Sequence, residues 1–146
     1  MENKELVKYN EEGTNFIVNL KSASTSYCSL NVNTQKEKEH LFNIISSPTD
    51  RIANMINEII ELKDLYVETV ELTNEETGEI IFAPRTILID KNGKSFECVS
   101  IGIFSALKKL FQIFGEPCIW EKPIKIKIKQ IQKGTKSILT FSILGN

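Results

Sequence analysis

Histidine, arginine and cysteine are scarce in this chain of 146 residues, and each scarcity narrows the chemistry open to it. The single histidine, His40, has no second imidazole with which to share a metal, and it alone offers an imidazole base. It stands beside a lysine and glutamate run and reads as a surface side chain. The three cysteines, Cys28, Cys98 and Cys118, are odd in number and widely spaced, with no C-x-x-C pair. That spacing supports neither a disulfide framework nor a zinc site, and buried, reduced thiols are expected. No G-x-S-x-G, H-E-x-x-H or G-x-x-x-x-G-K-[ST] occurs. The acidic clusters "YNEEG" and "NEETGE" read as solvated loops rather than paired catalytic carboxylates. The chain is therefore expected not to be an enzyme and to need no metal or cofactor. Long apolar runs are also missing, and the opening "MENKELVKYNEEGTN" is polar and partly acidic, unlike a signal or transit peptide. A cytoplasmic protein with no membrane partner is expected.

The length suits one domain with a proper core, and 41% hydrophobic residues can fill it. The net charge of −1 conceals an asymmetry. Residues 1–79 hold 7 basic and 15 acidic side chains, whereas residues 80–136 hold 11 basic and 4 acidic. A surface polarised in this way commonly meets a polyanion.

Along the chain, residues 1–14 read as a mobile arm, and 15–20 and 26–32 as short strands. Residues 34–46 are ambiguous between helix and strand. The stretch "SSPTDRIANMINEIIELKD" predicts a helix, with Ser47 as N-cap, Pro48 in the first turn and Asp50 closing a capping box. Its apolar stripe is Ile52, Met55, Ile56, Ile59 and Ile60. Strands follow at 65–74, 79–90 and 94–100, with Pro84 implying a bulge or bend in the second. A helix begins after Ser100, runs along Ile103, Phe104, Leu107, Leu110, Phe111 and Phe114, and closes at Gly115. Strands at 123–132 and 136–144 complete the chain. From residue 65 the order is strand, strand, strand, helix, strand, strand, the order of a five-stranded OB-like Greek-key barrel. The expected class is α+β and mainly β, in a single domain: a barrel core at 65–146 with an N-terminal strand and helix extension at 1–64. SH3-like barrels and small sandwiches fit the same pattern.

The basic half concentrates in "KPIKIKIKQIQKGTK". On a strand Ile124, Ile126 and Ile128 point one way and Lys125, Lys127 and Lys129 the other. Alternate strand residues stand about 7 Å apart, close to the phosphate spacing of an extended single strand. Lys91 and Lys94 flank one hairpin turn, Lys133 and Lys136 another, and Arg85 and Lys122 add to the charge. Flat groups for bases to stack on are Tyr66, Phe82, Phe96 and Trp120, with Phe141 a further candidate. Two plainer explanations compete. Three outward lysines also protect a sheet edge from aggregation, and barrels of this size fill their cores with aromatics.

The stretch "DKNGKSFECVSIGIFSALKKLFQIFGEPCIWEKPIKIKIKQIQKGTKSILTFSI" resembles small phage-encoded single-stranded-DNA-binding proteins. The shared pattern is the "DKNG" turn, an "S-x-G" helix start, "FG-x-P" at its end, then a lysine-rich strand and a "KG" turn. The resemblance implies an OB fold that coats displaced strands during phage replication, without sequence specificity or cofactor, in the host cytoplasm. Single-stranded DNA is the implied partner, with replication proteins beside it. By position it carries over only to Lys125, Lys127, Lys129, Lys133 and Lys136 and to neighbouring aromatics. The bacterial housekeeping type ends in an acidic tail, and "FSILGN" does not match that. The competing reading is a phage assembly or regulatory factor that binds protein, and RNA or duplex DNA are alternative ligands on charge alone. Oligomeric state, site size and cooperativity stay open.

Overall fold

The computed structural model describes residues 5–7 and 25–145, which form a mixed α+β chain, mostly strands, gathered in one curled sheet. Its centre is a long hairpin. β4 (Ile59–Thr73) runs antiparallel to β5 (Ile80–Asp90), and β5 continues to β6 (Ser95–Cys98) through the "KNG" turn. On its other side β4 pairs first with β7 (Ile124–Lys133) and then with β2 (Thr25–Cys28). β7 pairs in turn with β8 (Lys136–Ile143). Two short parallel pairings finish the sheet: β1 (Glu5–Val7) on β2 and β3 (Asp50–Arg51) on β6.

β4 serves two partners on one side because it carries an irregularity. The register shifts between Leu62 and Asp64. Side chains alternate along a strand, so an extra residue reverses which of them face inward. Before the shift the even residues Ile60 and Leu62 enter the main core; after it the odd residues Leu65 and Val67 do. Tyr66 is thereby turned to the opposite face, where it joins Cys28, Leu41, Ile44, Ile87 and Ile89 in a second core. No register shift accompanies Pro84, which stands opposite Thr69, so the bulge expected as one alternative is not there. β6 flanks β5 only over Thr86–Ile89, so no described strand asks Pro84 for a ladder bond on that side.

A helix packs on each face of the sheet's central strands. Helix α1 (Gln35–Ser46) occupies the stretch that the sequence left ambiguous. Thr34 caps it, its hydroxyl accepting from the Glu37 backbone N–H while the Glu37 carboxylate accepts from the Thr34 N–H. Leu41 and Ile44 carry it onto the second core. The helix predicted from Ser47 onward does not form. Ile52–Met55 make a single 3-10 turn, Asn57 takes φ 70°, and β4 has begun by Ile59. The apolar stripe was a sound reading of the wrong period. Ile52 and Ile60 do reach one core. They reach it from a turn and a strand, through an asparagine that tolerates the left-handed region.

Helix α2 (Ile101–Phe114) forms as predicted and packs into the main core. The Ser100 hydroxyl accepts from the Ile103 N–H at 3.2 Å, and Ile103, Leu107, Leu110 and Phe111 are buried. Its start lies hard against β8, and a Cβ on Gly102 would meet the Leu139 carbonyl oxygen at 2.0 Å. The five strands do not close into a ring. Among the described residues β6 takes β3 as its further neighbour and β8 pairs only with β7, leaving a half-barrel. Residues 15–20, expected as a strand, lie outside the described residues, and within the expected N-terminal arm Glu5–Val7 is a strand.

Candidate nucleic-acid interface

The alternation of lysine and isoleucine in β7 has the expected outcome. Ile126 and Ile128 are fully buried, Ile124 is half-buried, and Lys125 and Lys129 are exposed, with Lys127 half-exposed between them. β7 is not an edge strand where these lysines begin. Ile124–Lys127 pair with Ile59–Leu62 of β4, and Ile126 and Lys127 pair at the same time with Ile143 and Ser142 of β8. An interior position needs no protection from foreign strands, so edge protection does not account for Lys125 and Lys127. Beyond Ile128 only β8 flanks the strand, and there Lys129 stands opposite Thr140.

Next to the start of β7 an open groove of about 590 Å³ gathers Trp120, Lys91, Lys122, Lys125, Phe114 and Ile119. Trp120 sits on a prepared seat. Gly115 ends α2 with φ 77°, and a side chain there would meet Ile119 Cδ1 at 2.3 Å. That turn presents the Gly115 carbonyl, which accepts from Trp120 Nε1 at 3.0 Å. Behind the indole stands Phe111, edge to face at 6.5 Å between centroids, and behind Phe111 stands Tyr27 at 5.6 Å. Tyr27 donates to the buried Glu116 carboxylate at 2.8 Å. Burial, with Glu116 beside it, holds the Tyr27 hydroxyl above its ordinary range. Burial likewise raises the Glu116 carboxyl, against the opposing effect of the Tyr27 bond. The result is a continuous aromatic row running from the core to the groove.

Two carboxylates, Glu61 and Glu121, also line the groove, and Glu61 is paired with its cations. Glu61 lies opposite Lys125 across the β4–β7 ladder at 4.0 Å, and it also pairs with Lys91. The Lys91 hydrogen bond holds the Glu61 carboxyl below its usual range, against a smaller effect of burial. Any anion entering the groove would compete with Glu61 for two of its cations.

The other predicted residues are dispersed. Arg85 faces away from solvent: its guanidinium pairs with Glu68 at 3.0 Å and Glu97 at 3.1 Å and donates to the Ile45 carbonyl at 2.8 Å. Burial opposes that charge, but the bonds to Glu68 and Glu97 more than offset it. Its donors are already engaged. Tyr66 and Phe96 are core residues at 5% exposure, one in each core, and neither offers a ring face to a base. Burial pushes the Tyr66 hydroxyl up to about 12. Phe82 is exposed, but it lies on the outer part of the β4–β5 hairpin and does not line the groove. Lys94 is exposed at the β5–β6 turn, where its N–H donates to Asp90 Oδ1 at 2.9 Å. Lys133 and Lys136 face one another at the β7–β8 turn and line a second groove, together with the half-buried Phe141. His40 is exposed, as expected. Of the cysteines Cys28 is buried, Cys98 half-buried and Cys118 exposed, so the expected burial fails for Cys118.

Sequence reasoning did not single out Phe114, Ile119 or Glu61 as groove residues. Phe114 had been counted in the helix stripe, but as the last residue of α2, next to Gly115, it is 42% exposed. Its terminal position was the available signal.

The pattern of a known family runs through these elements: the one described as phage single-stranded DNA-binding protein matches residues 21–144. The chain belongs to the Phi29 phage single-stranded DNA-binding protein family. No curated protein and no solved structure matches it. Membership supports single-stranded DNA as the ligand class, and the family is one of non-enzymatic binding proteins. Among the described residues no helix is long and apolar enough to cross a membrane.

Proposed function

We propose that the chain binds single-stranded DNA without sequence specificity along the outer face of β7 and across the Trp120 groove. Lys125, Lys127 and Lys129 follow the phosphates, Lys91 and Lys122 extend the path, and Trp120 offers a stacking surface. The observation that carries this reading is the doubly paired start of β7: its lysines serve no edge, yet they project beside a groove holding a braced indole. β4, β5, β6, α2, β7 and β8 are read as the strands and helix of an OB-like barrel left open between β6 and β8. The N-terminal elements pack on it in a single domain. The setting we assign is phage DNA replication in the host cytoplasm, where the protein covers displaced strands without a cofactor and beside replication proteins.

Trp120 is the only tryptophan, so its fluorescence reports on the groove directly. Titration with oligo-dT at several salt concentrations, with duplex DNA as competitor, is the test. Quenching that weakens steeply with salt and resists duplex supports the assignment. A chain whose fluorescence and gel mobility are both unchanged by oligo-dT at low salt lacks the activity. Equal competition by duplex would remove the single-strand preference.

A further inference from the structure

The outer part of the β4–β5 hairpin, from Thr69–Pro84 to Thr73–Ile80, leaves the body of the sheet as a two-stranded arm. No described strand pairs with either side of it: β2 reaches only Glu68 on β4, and β6 only Thr86 on β5. Isolated two-stranded ribbons are marginal in water, and this one exposes Leu72, Ile80, Ile81 and Phe82, each by 41% or more. Leu72 and Ile81 are directly opposed and make one apolar face. The arm's charge is all of one sign. Glu71, Glu75, Glu76 and Glu79 lie between Thr69 and Pro84, with no lysine or arginine among them.

The same chain carries a surface of opposite character. Between α2 and the β7–β8 hairpin runs an open groove of about 960 Å³. Its apolar lining includes Ile101, Ile113, Ile131 and Ile143, each exposed by more than 40%. Its cations are Lys109, Lys133 and Lys136. Lys133 and Lys136 are directly opposed across the strand pair, where like charges repel. An anionic neighbour relieves that repulsion. Nucleic acid is the poorer fit, because bases stack on flat rings and this groove is lined mainly by isoleucines, with Phe141 its one aromatic. The ribbon's Leu72–Ile81 face, with the carboxylates of Glu75, Glu76 and Glu79 at its tip and Glu71 on the reverse side beside Phe82, matches both the apolar lining and the charge.

We infer that the β4–β5 arm of one molecule docks in the α2/β8 groove of a second copy of this chain. The contact is heterologous, since arm and groove are different surfaces, so each copy can both give an arm and receive one. It does not depend on the ligand assigned to the Trp120 groove. On a coated strand, neighbours held side by side would meet at high effective concentration.

The test is sedimentation velocity in low salt without DNA, on the full chain and on two charge-swapped variants. The arm variant carries Glu71→Lys, Glu75→Lys, Glu76→Lys and Glu79→Lys; the groove variant carries Lys133→Glu and Lys136→Glu. The parent is expected to associate above its monomer mass of 16.6 kDa as concentration rises. Each variant alone should associate at least tenfold more weakly. Mixed, they should recover, because a lysine arm now meets a glutamate groove and the remaining glutamate arm meets the remaining lysine groove. A Leu72→Ser/Ile81→Ser variant, which changes no charge, should also weaken association tenfold. Circular dichroism confirms that each variant is folded before its mass is read. A parent that stays monomeric, variants that associate like the parent, or a mixture that does not recover would overturn the contact. So would a groove variant that loses oligo-dT affinity while its mass distribution matches the parent's, since the groove would then be taking DNA.

Discussion

The Trp120 groove and the β4–β5 arm are built on the same long strand, β4, and differ most in what stands behind them. Behind Trp120 come Phe111, Tyr27 and Glu116, an aromatic row hydrogen-bonded at its far end and enclosed by α2. Among the described residues, Leu72 and Ile81 have only the partner strand of the ribbon behind them. A recognition surface that must hold a ring in one orientation gains from a rigid support, because ordering it during binding would subtract from affinity. An arm that meets a complementary groove can be supported by its partner once it arrives. Charge divides in the same way. Cations collect where the sheet is doubly paired at the start of β7, and carboxylates collect where the ribbon has left the sheet.

The sharpest test of that contrast is to remove the cations of one region and leave the other untouched. Lys125→Gln/Lys127→Gln/Lys129→Gln should weaken oligo-dT binding about a hundredfold at low salt and lower the salt slope by about 2. Its sedimentation should be unchanged. Glutamine is preferred to glutamate because Glu61 faces Lys125. A variant that keeps the parent's affinity would place the phosphate path elsewhere.

Next in size is the ring itself. Trp120→Ala should cost about 1–3 kcal/mol of oligo-dT affinity. Trp120→Phe should recover part of the loss, since it keeps a ring beside Phe111 while losing the bond to Gly115. Equal affinities for all three proteins, measured by filter binding, would take the indole out of the site.

Glu61→Gln should act in the opposite direction. Freeing Lys91 and Lys125 should tighten binding about two- to fivefold and steepen its salt dependence. Unchanged affinity would mean that the phosphates do not approach these two lysines.

The smallest effect concerns the support rather than the surface. Glu116 titrates higher in the folded chain than its unfolded value of 4.5, so the folded state holds a proton that the unfolded chain releases. Its contribution to stability is complete below the unfolded value and is lost as pH rises through the folded one. Denaturant melts of Glu116→Gln against pH should therefore show a shallower decline above pH 4.5 than the parent. A decline as steep as the parent's would assign the pH dependence to other groups.

Legibility followed the range of the forces involved. α2 was readable because its signals are local: the Ser100 hydroxyl, a stripe at helical spacing, and Gly115 at its end. So was the β7–β8 hairpin, whose period-2 alternation and "KGT" turn lie within a few residues. The stretch from Ile52 to Ile60 was misread because isoleucines three and four apart satisfy a helix stripe while β-branched residues equally suit a strand; packing against one core from two directions decided the matter. Arg85 looked like a free cation because its partners, Glu68 and Glu97, come from neighbouring strands and Ile45 from α1.

The sequence by itself determined the charge division between the two halves, the inward isoleucines and outward lysines of β7, the capped helix that closes the core, and a family pattern over residues 21–144. These depend on composition and on spacing within one element. Tertiary structure alone decided that Tyr66 and Phe96 are core, that Glu61 sits between Lys91 and Lys125, and that Trp120 rests against Phe111. Each of these depends on register between strands, and a single-residue shift between Leu62 and Asp64 is enough to turn every later side chain of β4 to the other face.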